Sequence, residues 1–255
     1  MIYEVEHPEL TAPLFADWPE GVIWSCLQGV MGHLYADSPD NPSSVMAILG
    51  DFCYFAGEPN RELVLYKPEW CNKDFMIMVP QNKAWANLIE QSYGKKAKEV
   101  TRYAIKKEPG IFHKNILQQV VNGLPDGCTL KMIDEELFLR CQQISWCKDW
   151  VANYTDYNLY QRHGLGAVIL KNEEPISGAS SYCGYLDGIE IEIITREDYR
   201  RQGLAYICGA KLILECLKRN WYPSWDAQNK WSAALAQKLG YHYEKDYAAY
   251  EIWGY

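Results

Sequence analysis

One short stretch is the most informative part of the chain, Tyr199-Arg200-Arg201-Gln202-Gly203-Leu204-Ala205. It follows a strand-like run at 188–195 and opens a helix-like run at 204–219. The first N–H groups of a helix have no partner inside the helix, and the helix dipole adds a partial positive charge there. Gly203 lets the backbone approach a ligand closely because it lacks a Cβ, and Arg200 and Arg201 can donate charge-assisted hydrogen bonds. The stretch therefore predicts a site for a diphosphate.

The pattern Arg200-x-x-Gly203-x-Ala205 resembles the acyl-CoA pyrophosphate loop of the GNAT superfamily of N-acyltransferases. The loop alone also fits an ordinary helix N-terminus with two solvated arginines. Two nearby segments of the sequence favour the resemblance. An acidic strand comes directly before the loop, and a segment at 229–241 that matches the family pattern follows in the expected order. The chain further resembles a bacterial two-part GNAT subfamily that joins a degenerate N-terminal half to an intact C-terminal half. That subfamily includes proteins linked to resistance against an aminopolyol antibiotic.

The composition indicates a folded chain of one large domain or two modest ones. The chain has 255 residues, of which 48% are hydrophobic and 23% charged, so a sizeable core can form. A net charge of −8 argues against a nucleic-acid partner, which needs a basic surface. The acidic surface favours cationic amine substrates, although solubility alone explains it equally well.

The cysteines and the apolar runs indicate a compartment. The nine cysteines include no Cys-x-x-Cys pair, and no metal-ligand spacing appears, so no metal is expected. There is no signal-peptide pattern and no apolar run near the roughly 20 residues that cross a bilayer. We therefore expect a reduced, cytoplasmic protein without a membrane partner. The aromatic content of 14% fits a homodimer interface or simply a core.

The order of elements predicts an α+β fold with a mixed α/β sheet. The resemblance implies a GNAT acyltransferase domain at 123–255 and a smaller, degenerate GNAT-like domain at 1–122, with a turn-rich boundary at 122–127. The halves show a faint repeat at an offset of 147 residues, which chance could also produce. Asn82-Lys83, for example, recurs as Asn229-Lys230. The N-terminal half has no Arg-x-x-Gly-x-Ala loop, so we do not expect it to hold a CoA diphosphate.

The resemblance implies that acetyl-CoA is the co-substrate. In this family the strand before the loop diverges from its neighbour and pairs with the pantetheine arm; the matching positions are Ile193, Ile194 and Thr195. The diphosphate-binding positions are Arg200, Arg201, Gln202, Gly203, Leu204 and Ala205. Asn229 matches a residue that contacts the pantetheine arm, and Ser232 is carried over with it. A plain helix N-cap is the alternative role of Asn229.

Two carboxylates on the acidic strand are the catalytic candidates. Glu190 and Glu192 are two residues apart, so both side chains are expected on one face of the strand. A carboxylate there can accept the proton of an attacking amine, directly or through water. Glu192 lies where many family members carry an acidic residue, so it is the first candidate as base or substrate anchor, and Glu190 is the second. The alternative is a pair of solvent-facing carboxylates.

The chain departs from the family pattern at the general acid. A tyrosine near the end of the second helix often protonates the leaving thiolate, and the matching position here is Ala236. Either another tyrosine serves, or the activity is weakened, or no acid is needed because a thiolate is a tolerable leaving group. Tyr241 is predicted to be a core aromatic.

These features together predict a function. The chain is expected to be an acetyl-CoA-dependent N-acetyltransferase that acts on a primary amine of a small molecule by direct attack on the thioester. The alternative, motivated by Ala236 and by the loop-less N-terminal half, is a non-catalytic acyl-CoA-binding or regulatory module. The aromatic stretch 146–160 corresponds to the family's acceptor pocket, with core packing as the alternative. Asp156 and Tyr157 are the acceptor-side candidates.

Overall fold

The computed structural model describes residues 1–16 and 18–255, and the chain forms two compact units. The first unit comprises Met1–Arg102 together with Asp246–Tyr255, and the second comprises Tyr103–Lys245. These units do not coincide with the predicted ranges 1–122 and 123–255. The difference arises because the division falls within two long strands, and the end of the chain belongs to the first unit.

The helices and strands follow one another in a regular order. The first elements are β1 (Tyr3–Glu4), α1 (Pro8–Phe15), α2 (Gly21–Leu27), β2 (His33–Ala36), β3 (Ser44–Leu49), β4 (Phe52–Gly57), α3 (Arg61–Val64), β5 (Phe75–Pro80), α4 (Lys83–Tyr93) and β6 (Ala97–Ile105). The later elements are α5 (Lys114–Asn122), β7 (Cys128–Met132), α6 (Glu135–Gln143), α7 (Tyr157–His163), β8 (Gly166–Lys171), β9 (Glu174–Tyr185), β10 (Gly188–Thr195), α8 (Leu204–Lys218), β11 (Tyr222–Ser224), β12 (Asp226–Ala227), α9 (Lys230–Leu239) and β13 (Tyr243–Trp253). Short 3-10 turns lie at Gly94–Lys96, Lys148–Trp150 and Glu197–Tyr199.

The sheet of the first unit is mixed. Strands β1 to β4 are antiparallel neighbours, β4 and β5 are parallel, and β13 is antiparallel to β5. Strand β3 is buried along its whole length, which is typical of strands covered on both faces. The ring of Phe55 stacks on Trp85 of α4, whose indole N–H donates to the Gly57 carbonyl at 2.8 Å. Helix α4 is thereby fixed against the end of β4.

The sheet of the second unit has the order β11-β10-β9-β8-β7, and only β10 and β11 are parallel to each other. Helix α8 packs on one face of this sheet, against Ile189 and Ile191 of β10. Leu204, Ile207 and Leu214, spaced three and seven residues apart, lie on the apolar face of this helix and are all buried. These two observed units, each with a mixed sheet and flanking helices, confirm the predicted fold class.

The helix ends follow local chemistry. The Asn82 side chain accepts hydrogen bonds from the N–H groups at the start of α4, and the Asn229 side chain accepts one from Ser232 N at 3.0 Å. Asparagine at these positions satisfies N–H groups that a helix cannot satisfy internally. Helix α9 ends at Gly240, whose φ of 109° places it in the left-handed region that glycine adopts without a Cβ clash.

The order of elements repeats along the chain. The series from β1 to β6 recurs as β7, α6, α7, β8, β9, β10, α8, β11, α9 and β13. Helix α4 begins at Lys83 and α9 begins at Lys230, in agreement with the offset seen in the sequence. The last strand of each series pairs within the other unit: β13 lies against β5, and β6 pairs with β12 through Tyr103 and Ala104. The two series therefore exchange their final strands.

Among the described residues, no helix combines the length and the apolar character that a membrane crossing requires.

Candidate functional site

Strands β10 and β11 part at Glu190. Their parallel register ends with Glu190 opposite Ser224, which is the last residue of β11. Strand β10 continues to Thr195, paired on its other side with β9. Within residues 1–16 and 18–255, no further strand lies along the β11 side of 193–195. That edge can pair with an extended ligand through backbone hydrogen bonds, as the sequence predicts for Ile193, Ile194 and Thr195.

The stretch after β10 forms an open helix N-terminus. Gly203 is the N-cap of α8, with a φ of 79°, and no side chain caps the helix there. A Cβ built on Gly203 would meet nothing within 4 Å, so the space in front of the helix start is open. The N–H groups of Leu204 and Ala205 belong to the first turn and have no acceptor inside the helix. The geometry is that of an anion site at the start of a 15-residue helix.

The side chains of the loop hold it against the strand. The Arg200 Nε donates to the Thr195 carbonyl at 3.3 Å, and the Gln202 amide donates to the Asp198 carbonyl at 3.4 Å. The Arg196 guanidinium binds both oxygens of Asp198, at 2.8 and 2.9 Å, and this hydrogen bonding lowers the pKa of the carboxyl group below its usual value. Arg200 and Arg201 are exposed, so both arginines can meet a ligand from solvent.

The two candidate carboxylates differ in burial. Glu190 is 7% exposed, whereas Glu192 is half-buried. A β-bulge lies between Glu190 and Ile191, where the pairing with β9 shifts. Beyond the bulge Glu192 lies opposite Ser180, whose hydroxyl donates to the Trp150 carbonyl at 2.7 Å, so both residues lie on the sheet face that carries Trp150. Glu190 is therefore not a solvent-facing carboxylate, and Glu192 is the more accessible of the two.

Tyrosines surround the buried carboxylate of Glu190. The Tyr185 hydroxyl lies 2.7 Å from Ser224 Oγ, directly beside the point where β10 and β11 part. Burial raises the pKa of Tyr185, and the nearby charge of Glu190 raises it further. Burial is also the first cause that raises the pKa of Tyr222, and the charges of Glu108 and then Glu190 add to it. Both phenols therefore stay protonated at neutral pH, next to a buried acidic side chain.

The candidate positions for a general acid are occupied by core residues. Ala236 is completely buried within α9. The Tyr241 hydroxyl donates to the Pro223 carbonyl at 2.5 Å, and its ring packs on Phe112 and Trp225. Burial raises the pKa of Tyr241 well above its usual value. Tyr241 is the core aromatic that the sequence predicts.

The start of α9 has a clear local structure. The side-chain Oδ1 of Asn229 accepts from Ser232 N, which is the N-cap role considered as the alternative in the sequence. The Ser232 hydroxyl accepts from Trp225 Nε1 at 3.0 Å. Both side chains are thus tied into the helix start, and the amide nitrogen of Asn229 is the group that a pantetheine arm could contact.

The aromatic stretch is mostly core. Trp150, Tyr154 and Tyr160 are buried, so core packing is the observed role of these three. The Tyr154 hydroxyl donates to Ser181 Oγ at 2.7 Å, and the Tyr160 hydroxyl lies 2.8 Å from Ser180 Oγ. Sequence reasoning missed this layer of buried hydroxyls. The adjacent pair Ser180-Ser181 within an otherwise apolar strand was the available signal.

The acceptor-side candidates separate in the structure. The Asp156 side chain caps α7 by accepting from Leu159 N at 2.8 Å. Tyr157 is half-buried and packs edge-on against Phe138, with ring centres 5.7 Å apart. Asp156 therefore caps a helix while it stays exposed, and the ring of Tyr157 is partly accessible.

The described residues of the first unit form no comparable opening between β4 and β5. Its parallel strands β4 and β5 pair through four successive residues, from Phe52 opposite Ile77 to Phe55 opposite Pro80. The helix that follows, α3, has four residues, and the Asn60 side chain caps it by accepting from Leu63 N. This strand pair does not part, and the helix start is already occupied. Among the described residues, no group of three or more His, Cys, Asp or Glu side chains could hold a metal ion.

A strand that parts from its parallel neighbour and leads into an uncapped helix N-terminus is the arrangement of the GNAT acetyltransferases. A family model described as GNAT acetyltransferase matches residues 12–250. The chain belongs to this family and is an acyltransferase.

Relatives extend over most of the chain. A solved GCN5-related N-acetyltransferase-like protein from Streptococcus suis 89/1591 is 47% identical, with a TM-score of 0.91, and the match covers 97% of this chain and 98% of that one. An uncharacterized N-acetyltransferase of Bacillus subtilis (strain 168), YdfB, is 26% identical over 89% of this chain and 88% of its own length. A GCN5-related N-acetyltransferase from Kribbella flavida shares the fold at 17% identity, with a TM-score of 0.51 over 83% and 86% of the two chains.

Proposed function

We propose that this acyltransferase uses acetyl-CoA and transfers the acetyl group to a primary amine of a small molecule. The observation that carries the proposal is the continuity between the open edge at 193–195 and the uncapped start of α8. An extended arm with amides, followed by a diphosphate, matches these two features in the same order. Acetyl-CoA has this layout.

The donor would lie along β10 and end at the loop. The backbone of Ile193, Ile194 and Thr195 would pair with the pantetheine amides, in the manner of an added strand. The N–H groups of Gly203, Leu204 and Ala205 would bind the diphosphate, and the helix dipole favours its charge. Arg200, Arg201 and Gln202 flank this position, and Asn229 and Ser232 lie at the start of α9 as further contacts.

Direct transfer needs a neutral amine and a leaving thiolate. The amine lone pair attacks the thioester carbonyl carbon, the C–N bond forms, the C–S bond breaks, and Glu192 accepts the amine proton. Glu192 suits this role because it is less buried than Glu190 and lies just beyond the point where β10 leaves β11, with Glu190 as the second candidate. A thiolate is stable enough to leave unassisted, so Ala236 at the usual tyrosine position does not block the reaction.

The charge of the chain supports the class of acceptor. At a net charge of −8 the protein attracts cationic amines and repels nucleic acid. The nine cysteines are all free, which fits a reducing compartment such as the cytoplasm. A second candidate function is a module that binds acyl-CoA without turning it over. It is motivated by Ala236, which stands where family members often carry the general-acid tyrosine. Loss of turnover on Glu192→Gln would favour the enzyme.

The first experiment separates a specific cofactor site from backbone strain. Acetyl-CoA is titrated into the wild-type protein, Gly203→Glu and the matched control Gly127→Glu, with thermal unfolding as the readout. Both glycines have positive φ, 79° and 74°, and open space at the Cβ position, so both substitutions carry similar backbone strain. Only Gly203→Glu places a carboxylate at the proposed diphosphate site.

The expected results differ between the two variants. A ligand at about 100 times its dissociation constant adds roughly 2.7 kcal/mol of stability, and we expect this gain for the wild type and Gly127→Glu only. If acetyl-CoA stabilised both variants equally, the proposed diphosphate site at this loop would be contradicted. If acetyl-CoA binds as expected, a panel of primary amines then tests for an acceptor. Turnover no faster than background hydrolysis across that panel would favour the non-catalytic module.

A further inference from the structure

The first unit contains a groove beside α4, called the α4 groove below. One face of α4 forms its wall, from Lys83 through Ala86 to Glu90, and side chains of β6 and β13 form the rest. All the described residues that line it belong to the first unit. The groove has a volume of about 360 Å³. Sites for small molecules measure roughly 300–1,000 Å³, so the α4 groove is large enough for a small ligand.

Two carboxylates on different elements face the α4 groove. Glu90 belongs to α4 and Glu99 to β6, and both are exposed, so a ligand can reach them from solvent. The hydroxyl of Tyr250 donates to Glu90 Oε1 at 2.7 Å, and Tyr250 is only 2% exposed. A buried phenol thus holds Glu90 in place at the groove. Burial raises the pKa of Tyr250, and Glu90 and then Glu99 raise it further, so both carboxylates act on the same phenol.

Neighbouring lysines leave these carboxylates without a compensating charge. Lys98 precedes Glu99, but alternation along β6 directs it to the other face of the sheet, where its ammonium lies 2.9 Å from Glu251. Of the described residues that line the groove, Lys83 is the only cation. It begins α4, about 10 Å along the helix axis from Glu90 at 1.5 Å per residue. Between exposed charges that separation exceeds the Debye length of about 8 Å at physiological ionic strength.

We propose that the α4 groove binds a small primary amine in its cationic form, at a site separate from the donor site along β10. A primary ammonium has three N–H donors, which suit the oxygens of Glu90 and Glu99. It would also relieve the repulsion between two like charges in one groove. The hydrocarbon part of the amine would lie against Ala86 and Tyr247, which line the same groove. The aromatic face of a tyrosine attracts a cation as well.

The test titrates n-butylamine into the full chain at constant neutral pH, where this probe is a cation. Butan-1-ol, which has the same chain length and no charge, is the matched neutral probe. The tyrosine rings are labelled with ¹³C, and the NMR signal of Tyr247 is assigned by its loss in Tyr247→Phe. We expect n-butylamine to shift the Tyr247 signal to saturation, and butan-1-ol to leave it in place at the same concentrations.

Two variants test the recognition of charge. Glu90→Gln and Glu99→Gln each remove one negative charge, and Glu90→Gln keeps a side-chain oxygen that can accept from Tyr250. Loss of one charge-assisted hydrogen bond should raise the n-butylamine concentration at half saturation about tenfold in each variant. Glu69→Gln is the matched control, because Glu69 is an exposed carboxylate of the first unit that does not line the groove. It should bind n-butylamine as the wild type does.

Three results would each overturn the proposal. The first is a Tyr247 signal that n-butylamine does not shift. The second is an equal shift with butan-1-ol, since the groove would then recognise hydrocarbon and not charge. The third is the same half-saturation concentration in the wild type, Glu90→Gln and Glu99→Gln. None of these readouts involves acetyl-CoA, so a failure of the proposed transferase activity is measured separately.

Discussion

Glu190 and Ser224 form the last residue pair between β10 and β11, and beyond that pair the two parallel strands are no longer hydrogen-bonded to each other. Ser224 also lies 2.7 Å from the hydroxyl of Tyr185, so the parting point is held by buried polar side chains. The parting leaves a strand edge beside the carboxylate-bearing strand, and it leads to the open start of α8. The geometry of this one pair thus locates both the proposed donor site and the proposed base.

Removing the charge of Glu192 should slow the chemical step. We expect Glu192→Gln to lower kcat by about 10²- to 10⁴-fold, the range that general base catalysis contributes, while the Kd for acetyl-CoA stays unchanged. Steady-state rates and calorimetric titration measure the two quantities. Glu197→Gln, in the exposed turn after β10, is the control and should retain full activity. An undiminished kcat in Glu192→Gln would exclude this residue as the base.

Tyr241 should prove structural and not catalytic. The change Tyr241→Phe removes the hydroxyl that binds the Pro223 carbonyl and leaves that buried acceptor without its donor. We expect the free energy of unfolding to fall by about 1–3 kcal/mol, with no change in kcat or in its pH profile. Denaturant unfolding and a pH–rate series check both parts. A lost basic limb in the rate profile would instead identify Tyr241 as the missing acid.

Asn229 has two roles that substitution can separate. Asn229→Ala removes the N-cap and should cost about 0.5–2 kcal/mol of stability. Asn229→Asp keeps an oxygen that accepts from Ser232 N but removes the amide donor. If that amide contacts the pantetheine arm, Asn229→Asp should fold normally and bind acetyl-CoA about tenfold more weakly, a loss of about 1.4 kcal/mol.

The repeat supplies the matched control for this experiment. Asn82 caps α4 as Asn229 caps α9, so Asn82→Asp makes the same chemical change away from the proposed site. We expect it to leave acetyl-CoA binding unaltered. A similar loss of affinity in both variants would show that the effect is general and not a contact with the cofactor.

Removal of the last strand should act on the first unit. Tyr250, Glu251, Ile252 and Trp253 pair with β5, and the Tyr250 hydroxyl donates to Glu90 at 2.7 Å. A chain that ends at residue 245 should therefore lose amide protection in β5 while β9 keeps it. Hydrogen exchange followed by mass spectrometry measures both strands in one experiment. Uniform protection in the two strands would contradict the observed pairing.

The sequence predicted the features that depend on neighbouring residues. The helix start at Gly203 follows from local chemistry and is present. The apolar face of α8 and the glycine that ends α9 are likewise set by neighbouring residues. The family and the fold class followed from the same loop. Asp156 caps α7, and an aspartate at a helix start is a common N-cap, so its position in the sequence alone does not separate this role from contact with an acceptor.

Features that depend on pairing between strands far apart in the chain could not be predicted from local sequence patterns. The ranges 1–122 and 123–255 follow a turn-rich segment, yet the unit division depends on β13 meeting β5, strands far apart in the chain. The bulge in the pairing with β9 has its extra residue, Tyr182, in β9, so alternation along β10 is regular. That alternation places Glu190 and Glu192 on one face but does not reveal that Glu190 is the buried one. Register between strands is set by both partners, so one strand's composition does not fix it.

The exchange of final strands also has a consequence for synthesis. The first unit includes Asp246–Tyr255, so its sheet stays incomplete until the ribosome has added these residues. At about 5–20 residues per second, the nascent N-terminal part would remain for many seconds with β5 paired to β4 but not to β13. We therefore expect that part to depend on chaperones during translation until residues 246–255 have left the ribosome.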